Sequence, residues 1–307
     1  MPVTTAQTPQ EAPAEAFTPS PVESLAHQLL ATLAQHRMAT TAQLRVLLRP
    51  DRTRQSVSQQ LNTLRREGLV DFAVLPQAYR SRVWYLTPKA ARLTRDWPAL
   101  RGRPPYPITS GTAASLKTPH TLTVLRAHLA FVADARRRGD EHGHLDWTPE
   151  VFHVIGDGER VVADAVMHYT VTSGQDGEHR RKLRAFVEVD RTTMSSERLA
   201  AKLIEYARLW AYEPPALGRR RAAGPGWLRW YPVFPRVLFV LTGAGRPALR
   251  NRISDLKAMV AQHPLVVDFA RNVRLGAAVL EDVEEHGAAA EVWVPLAGGG
   301  MRPWSEL

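Results

Sequence analysis

Apolar positions in the first third of the chain recur at helical spacing. In "LAHQLLATLAQH" Leu25, Leu29 and Leu33 mark one face and Leu30 widens it, with Ser20, Pro21 and Glu23 upstream reading as a start signal. "ATTAQLRVLL" predicts a second, short helix to Leu48, capped by Thr40 or Thr41. "RQSVSQQLNTLRREG" predicts a third from near Thr53, with Val57, Leu61 and Leu64 turned inwards and Gly68 ending it in a left-handed conformation. Two short strands, "LVDFAVL" and "RVWYLTP", follow, joined by the polar "PQAYRS". Three helices and a hairpin in this order describe a winged helix-turn-helix over residues 20–96, to which "PKAARLTRDW" adds a helix.

Residues 97–118 hold closely placed prolines and two glycines and read as a linker. A helix beginning near Pro119 opens a second domain, 119–296, with Leu122, Leu125, Leu129 and Val132 along one side. Strands are predicted at 151–155, 161–169 and 183–190, a helix at 196–211 and a strand at 237–241. The order α, β, β, β, α, β makes the fold α/β overall, a sheet with helices packed beside it. Further elements are expected at 247–261, 265–269, 273–285 and 291–294, where 265–270 is an apolar run of strand length. Residues 1–19 and the tail, 297–307, are expected to be flexible.

Charge sharpens this division. The 307 residues carry a formal net charge of +10, and residues 1–110 hold 14 basic against 7 acidic groups. A basic excess concentrated in the first third favours a polyanion as partner. Zero cysteines exclude disulfides, thiolate metal sites and a cysteine nucleophile. No apolar run approaches membrane-spanning length, and the start lacks a signal-peptide pattern, so a cytoplasmic protein without membrane contact is expected. "TGAGRP" lacks the full dinucleotide fingerprint.

On the third helix, helical phase turns Gln55, Ser56, Gln59, Gln60, Asn62, Thr63 and Arg66 outwards. Glutamine and asparagine can bond adenine edges in a major groove, while Arg52 and Arg54 at the helix start suit phosphates. Arg80 and Arg82, beside Tyr79 in the hairpin, are placed to touch phosphate or the minor groove. The alternatives are a solvated hairpin and a winged helix that binds protein. "RRR" at 219–221 and "ARRRG" at 135–139 either extend an electropositive path or aid solubility.

A second constellation is acidic. Alternation in "LRAFVEVD" sets Leu183, Ala185, Val187 and Val189 on one strand face, and Arg184, Phe186, Glu188 and Asp190 on the other. Both carboxylates would then point to an open edge, their Cβ atoms about 6.5–7 Å apart. Asp164 in "VVADAVMHY" joins them if the strands are neighbours, and such hard oxygen donors suit Mg²⁺ or Mn²⁺. Lys202 and Glu205 lie on the following helix, where Lys202 either reaches the acids or a phosphate, or stays a solvated ion-pairing lysine. His120 and Glu150 are further candidates for contacting substrate or metal. His128 suits a helix surface or packing, and "DEHGH" a polar loop.

The front module together with "VADAVM", "FVEVDRTTMSSERLAAKLIEYARLW" and "FPRVLFVLT" resembles the replication-relaxation family of actinobacterial plasmids and other mobile elements, over about residues 20–294. The second half is similar to the PD-(D/E)xK, or restriction-endonuclease-like, nuclease fold. That resemblance implies a part in plasmid replication and DNA relaxation; some related folds cut DNA with magnesium. It gives Asp164 the place of the first acid and Glu188 that of the second. Asp190 stands where the motif has lysine, and Lys202 is then a displaced lysine. Asp164, Glu188, Asp190 and Lys202 are the implied catalytic set, with the three acids as metal ligands. Otherwise the site binds metal without cutting, or the fold organises DNA and protein partners. The expected function is a DNA-binding accessory protein for replication, relaxation or transfer of a mobile element. A Mg²⁺-dependent nuclease or nickase and a transcription regulator are the alternatives. Double-stranded DNA, replication or transfer proteins and a second copy of the chain are the expected partners.

Overall fold

The computed structural model describes residues 23–75, 81–100, 111–156, 158–174, 177–215 and 224–307. The expected flexible start, Tyr79, Arg80 and the arginines at 219–221 lie outside the described residues. Helix α1 (Leu25–His36) is capped by Ser24, whose hydroxyl accepts the His27 N–H, so the start signal sits four residues beyond Ser20. Strand β1 (Met38–Thr40) leads into α2 (Thr41–Leu48), where Thr40 and Gln43 form a reciprocal capping box. Helix α3 (Arg54–Arg66) starts at the Thr53 cap and ends at Gly68, whose φ of 71° is the left-handed conformation expected of it. Strands β2 (Val70–Val74) and β3 (Arg82–Leu86) and helix α4 (Pro88–Thr94) follow. The sheet has the order β1-β3-β2. Three residues show no alternation, which is why β1 escapes a pattern reading.

Helix α5 (Gly111–Arg138) begins well inside the stretch read as linker and carries Pro119 within it. It is apolar on two sides. Leu125 and Val132, from the stripe expected to open the second domain, are buried in the core of the front module with Leu29, Leu61 and Trp84. Val124, Ala127, Phe131 and Ala135 pack on the large sheet instead. One helix therefore belongs to both cores, as a helix apolar around most of its girth must. Arg136 strengthens the seam by donating to the carbonyls of Val46 and Leu47 at the end of α2.

The large sheet runs β4 (Trp147–Gly156), β5 (Glu159–Ser173), β6 (His179–Asp190), β7 (Arg236–Leu241), β8 (Leu275–Val279) and β9 (Val294–Pro295) in that spatial order. Strands β6, β7 and β8 are parallel; the other pairings are antiparallel. The chain is thus mixed α/β. Helices α6 (Ser196–Ala211), α7 (Arg246–Gln262) and α8 (Pro264–Asn272) cover one face through Leu203, Tyr206, Ile253 and Phe269. The strand-length run at 265–270 is helical because Pro264 starts a helix and Val266, Phe269 and Ala270 recur at its period. The expected element at 273–285 divides into β8 and the short α9 (Leu280–His286).

The other face carries α5 and the chain's last residues. The tail expected to be flexible is held: Trp304 is buried against Phe131 and Tyr169, and Leu307 covers Gly276. An aromatic anchor outweighs the entropy of the preceding glycines. Among the described residues, no helix is long and apolar enough to cross a membrane.

Candidate functional site

Helix α3 places its side chains as helical phase requires. Val57, Leu61 and Leu64 are fully buried, whereas Arg54, Gln55, Gln59, Asn62 and Arg66 are exposed and Ser56, Gln60 and Thr63 half-buried. Arg52 is exposed just before the helix. Arg82 of β3 lies across the Phe72 ring, 4.3 Å from its centroid, and donates to Asn62 Oδ1 at 3.4 Å. Arg65 stacks on the same ring at 4.6 Å and pairs with Asp71 at 3.0 Å. Arg66 donates to Thr63 Oγ1 at 3.0 Å. Helix and hairpin therefore share one polar, basic ledge. It overlooks an open concavity of about 500 Å³ lined by Asn62, Arg65, Arg66 and Asp71.

The acidic residues meet where two strands part. Pairing of β5 with β6 runs from Ser173 and His179 to Ala165 and Val187, and stops there. Beyond that point side chains replace the ladder. Asp164 Oδ2 accepts the Val189 N–H at 2.8 Å, and Lys202 Nζ donates to the Val162 carbonyl at 2.8 Å. Lys202 also lies 3.4 Å from Glu205 and 3.8 Å from Glu188. An orphaned backbone donor and acceptor are thus satisfied by a carboxylate and an ammonium.

The expected face alternation of β6 holds, but the open edge does not exist. Strand β6 is third of six and α6–α8 cover the side that bears Glu188 and Asp190, leaving them 2% and 1% exposed. Glu188 Oε1 accepts the Tyr206 hydroxyl at 2.5 Å. Burial, and after it the charge of Asp164, pushes its carboxyl up to about 8, so Glu188 holds a proton at neutral pH. Asp190 Oδ2 receives Arg252 through Nη2 at 2.7 Å and Nε at 2.9 Å, while its Oδ1 is buried without a partner. The cation missing from the lysine position is therefore supplied by α7, locked to the acid that replaces it.

The three carboxylates expected to share a cation are dispersed onto separate partners. Among the described residues, no group of three or more His, Cys, Asp or Glu side chains is arranged to hold a metal ion. An Asp190 bound by guanidinium and an Asp164 with both oxygens engaged do not fit a Mg²⁺ or Mn²⁺ centre shared by the three acids. Tyr206 and Arg252 were not anticipated. The signal for Tyr206 was its place four residues after Lys202 on one helix face; Arg252 is 62 positions from its partner and gave none.

His120 and Glu150 do come close to this fork. His120 Nε2 lies 3.0 Å from Asp164 Oδ1, and that bond raises the histidine pKa. Glu150 pairs with Arg37 at 2.5 Å across the seam between the two cores. Both residues of this pair have positive φ, 49° and 68°, a conformation that costs energy in non-glycine residues. The cleft they line with His120 and Asp164 has a volume of about 20 Å³, space for about one water. "DEHGH" is a loop, as expected, but a partly buried one: His142 is buried and bonds the His168 carbonyl, and His144 offers its carbonyl to His36. His128 packs, stacked on Trp147.

Compared with known protein families, residues 30–219 match the family described as Replication-relaxation, well over half of the chain. No curated protein and no solved structure matches the chain.

Proposed function

This chain belongs to the replication-relaxation family, and on that premise we propose that it is a duplex-DNA-binding accessory protein for replication, relaxation or transfer of a mobile element. The front module supports a winged helix-turn-helix reading: α3 is the recognition helix and the β2–β3 hairpin the wing. The observation that carries the proposal is the ledge formed by Gln55, Gln59, Asn62 and Arg66 with Arg82. Glutamine and asparagine on a groove-facing helix can read adenine, with arginines on the flanking phosphates. Such arginines each add about 0.9 to the salt slope of binding.

The second half supports a nuclease-like core that has no cutting role. Its order α5, β4, β5, β6, α6, β7 and the placing of Asp164 and Glu188 on adjacent strands suit the PD-(D/E)xK arrangement. Its contacts do not suit cleavage, because Arg252 neutralises Asp190 and both oxygens of Asp164 are engaged. A domain so altered serves as a platform, welded to the reading module through α5, for DNA or a replication or transfer protein in the cytoplasm. Two copies reading a symmetric site through paired α3 helices complete the proposal.

Purified protein incubated with supercoiled and linear DNA, with and without Mg²⁺ or Mn²⁺, tests it, with retention of each DNA measured in parallel. The expected result is salt-dependent retention of both forms and no metal-dependent nicking. Metal-dependent cleavage lost in Asp164→Ala, with binding kept, would replace the accessory reading by the nuclease one. Preference for promoter DNA with no effect on replication would replace it by transcription control.

A further inference from the structure

Some arginines of this protein are tied to carboxylates and others are not. Beside the β5–β6 hairpin, Arg138 pairs with Asp140 and Arg180 with Glu141. Three others nearby are not. Arg181 on β6, Arg236 at the start of β7 and Arg274 just before β8 have no ion pair among the described residues. Alternation puts Arg181 on the sheet face of Leu183 and Ala185, Arg236 on that of Leu238 and Val240, and Arg274 on that of Ala278, all members of the α5-side core. The register sets Arg236, level with Ala185, beside Arg274, since Val237 is level with Leu275; Arg181 lies four residues further along β6 on the same face.

The cluster is costly as it stands. Arg236 is partly buried, donates through Nη2 to the Ser305 carbonyl at 3.2 Å, and leaves its buried Nε without an acceptor. Burial and then the like charges of Arg181 and Arg274 push its guanidinium down to about 10. Arg181 and Arg274 are exposed, so the group opens to solvent over the seat made by the final residues. The three side chains are all positive, and guanidinium forks match the paired oxygens of a phosphate.

We propose that Arg181, Arg236 and Arg274 form an anion site that takes one backbone phosphate of bound DNA, a second contact separate from α3. It rests on the duplex-binding reading above. It lies far along β6 from the acidic fork, since Arg181 and Glu188 are near opposite ends of that strand. A duplex held at both places would be fixed in direction across the second domain.

The test uses the full chain and labelled duplexes of increasing length, each titrated over a salt series, with an Arg181→Gln/Arg274→Gln double variant. Both positions are exposed, and thermal melting checks the fold. The wild type should gain affinity on duplexes longer than α3 covers. The variant should lose that gain, binding long duplexes about tenfold more weakly with a salt slope shallower by about one, and bind the shortest equally well. Its melting temperature should stay level or rise, because repulsion on Arg236 is relieved. Equal affinities and slopes at every length would overturn the anion site and leave α3 binding intact. If the wild type binds no duplex even at low salt, the duplex reading fails and inorganic pyrophosphate decides the site. Thermal stabilisation of the wild type but not the variant would keep an anion site filled by free phosphate; equal responses would overturn it.

Discussion

The ledge on α3 and the fork between β5 and β6 both gather polar and charged groups, yet they treat them in opposite ways. On α3 the amides and several arginines stand in solvent, and the internal contacts of the ledge, Arg82 with Asn62, Arg66 with Thr63 and Arg65 with Asp71, are made between exposed groups. Little has to be broken before a ligand is met. In the fork Asp164, Glu188, Asp190 and Lys202 are each engaged at short range, and two of them are almost wholly buried. A ligand there would have to displace a proton, a guanidinium or a backbone bond. Polar groups in solvent are available for recognition, whereas the same groups in a dry interior hold the fold together.

The sharpest way to break this contrast is Arg252→Ala. It strands Asp190 as a buried, unpaired charge, and unfolding in urea should show a loss of about 3–5 kcal/mol. Pairing the change with Asp190→Asn should recover much of that loss. Unchanged stability would mean that Asp190 is not held as the contact implies.

Next in size is Glu188. Its carboxyl keeps a proton up to about pH 8 in the folded chain but only to the ordinary value of 4.5 once unfolded. The folded state therefore binds more protons between those limits, and the contribution of Glu188 to stability falls as pH rises from 4.5 to 8. Glu188→Gln should flatten that slope and add on the order of 2–4 kcal/mol at pH 8, as an upper range. A variant with an unaltered slope would show that Glu188 is ionised throughout.

His142 gives the opposite slope. Burial keeps His142 neutral down to about 4, so the unfolded state binds the extra proton between pH 4 and 6.5. Stability should rise with pH across that window, by roughly 1–3 kcal/mol from this residue. Melting curves of wild type and His142→Gln at pH 5 and 7 measure it, and parallel shifts in both would exclude His142 as the source.

The smallest stability change is expected on α3, where it sharpens the comparison. Gln59→Ala with Arg66→Ala should alter unfolding by less than about 0.5 kcal/mol yet weaken duplex binding by roughly 1–3 kcal/mol. Loss of fold in step with loss of binding would place these side chains in the structure and not at an interface.

The positions of Val57, Leu61 and Leu64, and hence of the amides opposite them, were legible because a helix fixes which residues share a face within a few positions of one another. The same holds for the alternation along β6 and for Gly68 at the end of α3. Other features were not legible for equally physical reasons. The prolines and glycines of 97–118 suggested a linker and Pro119 a helix start, but the helix already runs from Gly111 through Pro119, and beyond it α5 packs on both sides. The glycines near the end suggested mobility, but Trp304 is anchored in the core.

Local periodicity alone decided the faces of α3 and β6, since backbone geometry dictates them irrespective of distant neighbours. Whether a face meets water was decided only by tertiary structure. Strand β6 became an interior strand through β5 on one side and β7 on the other, and the acid at Asp190 acquired its guanidinium from 62 residues away. A carboxylate's charge depends on the dielectric and the partners around it, and in this protein those partners come from helices that follow it in the chain.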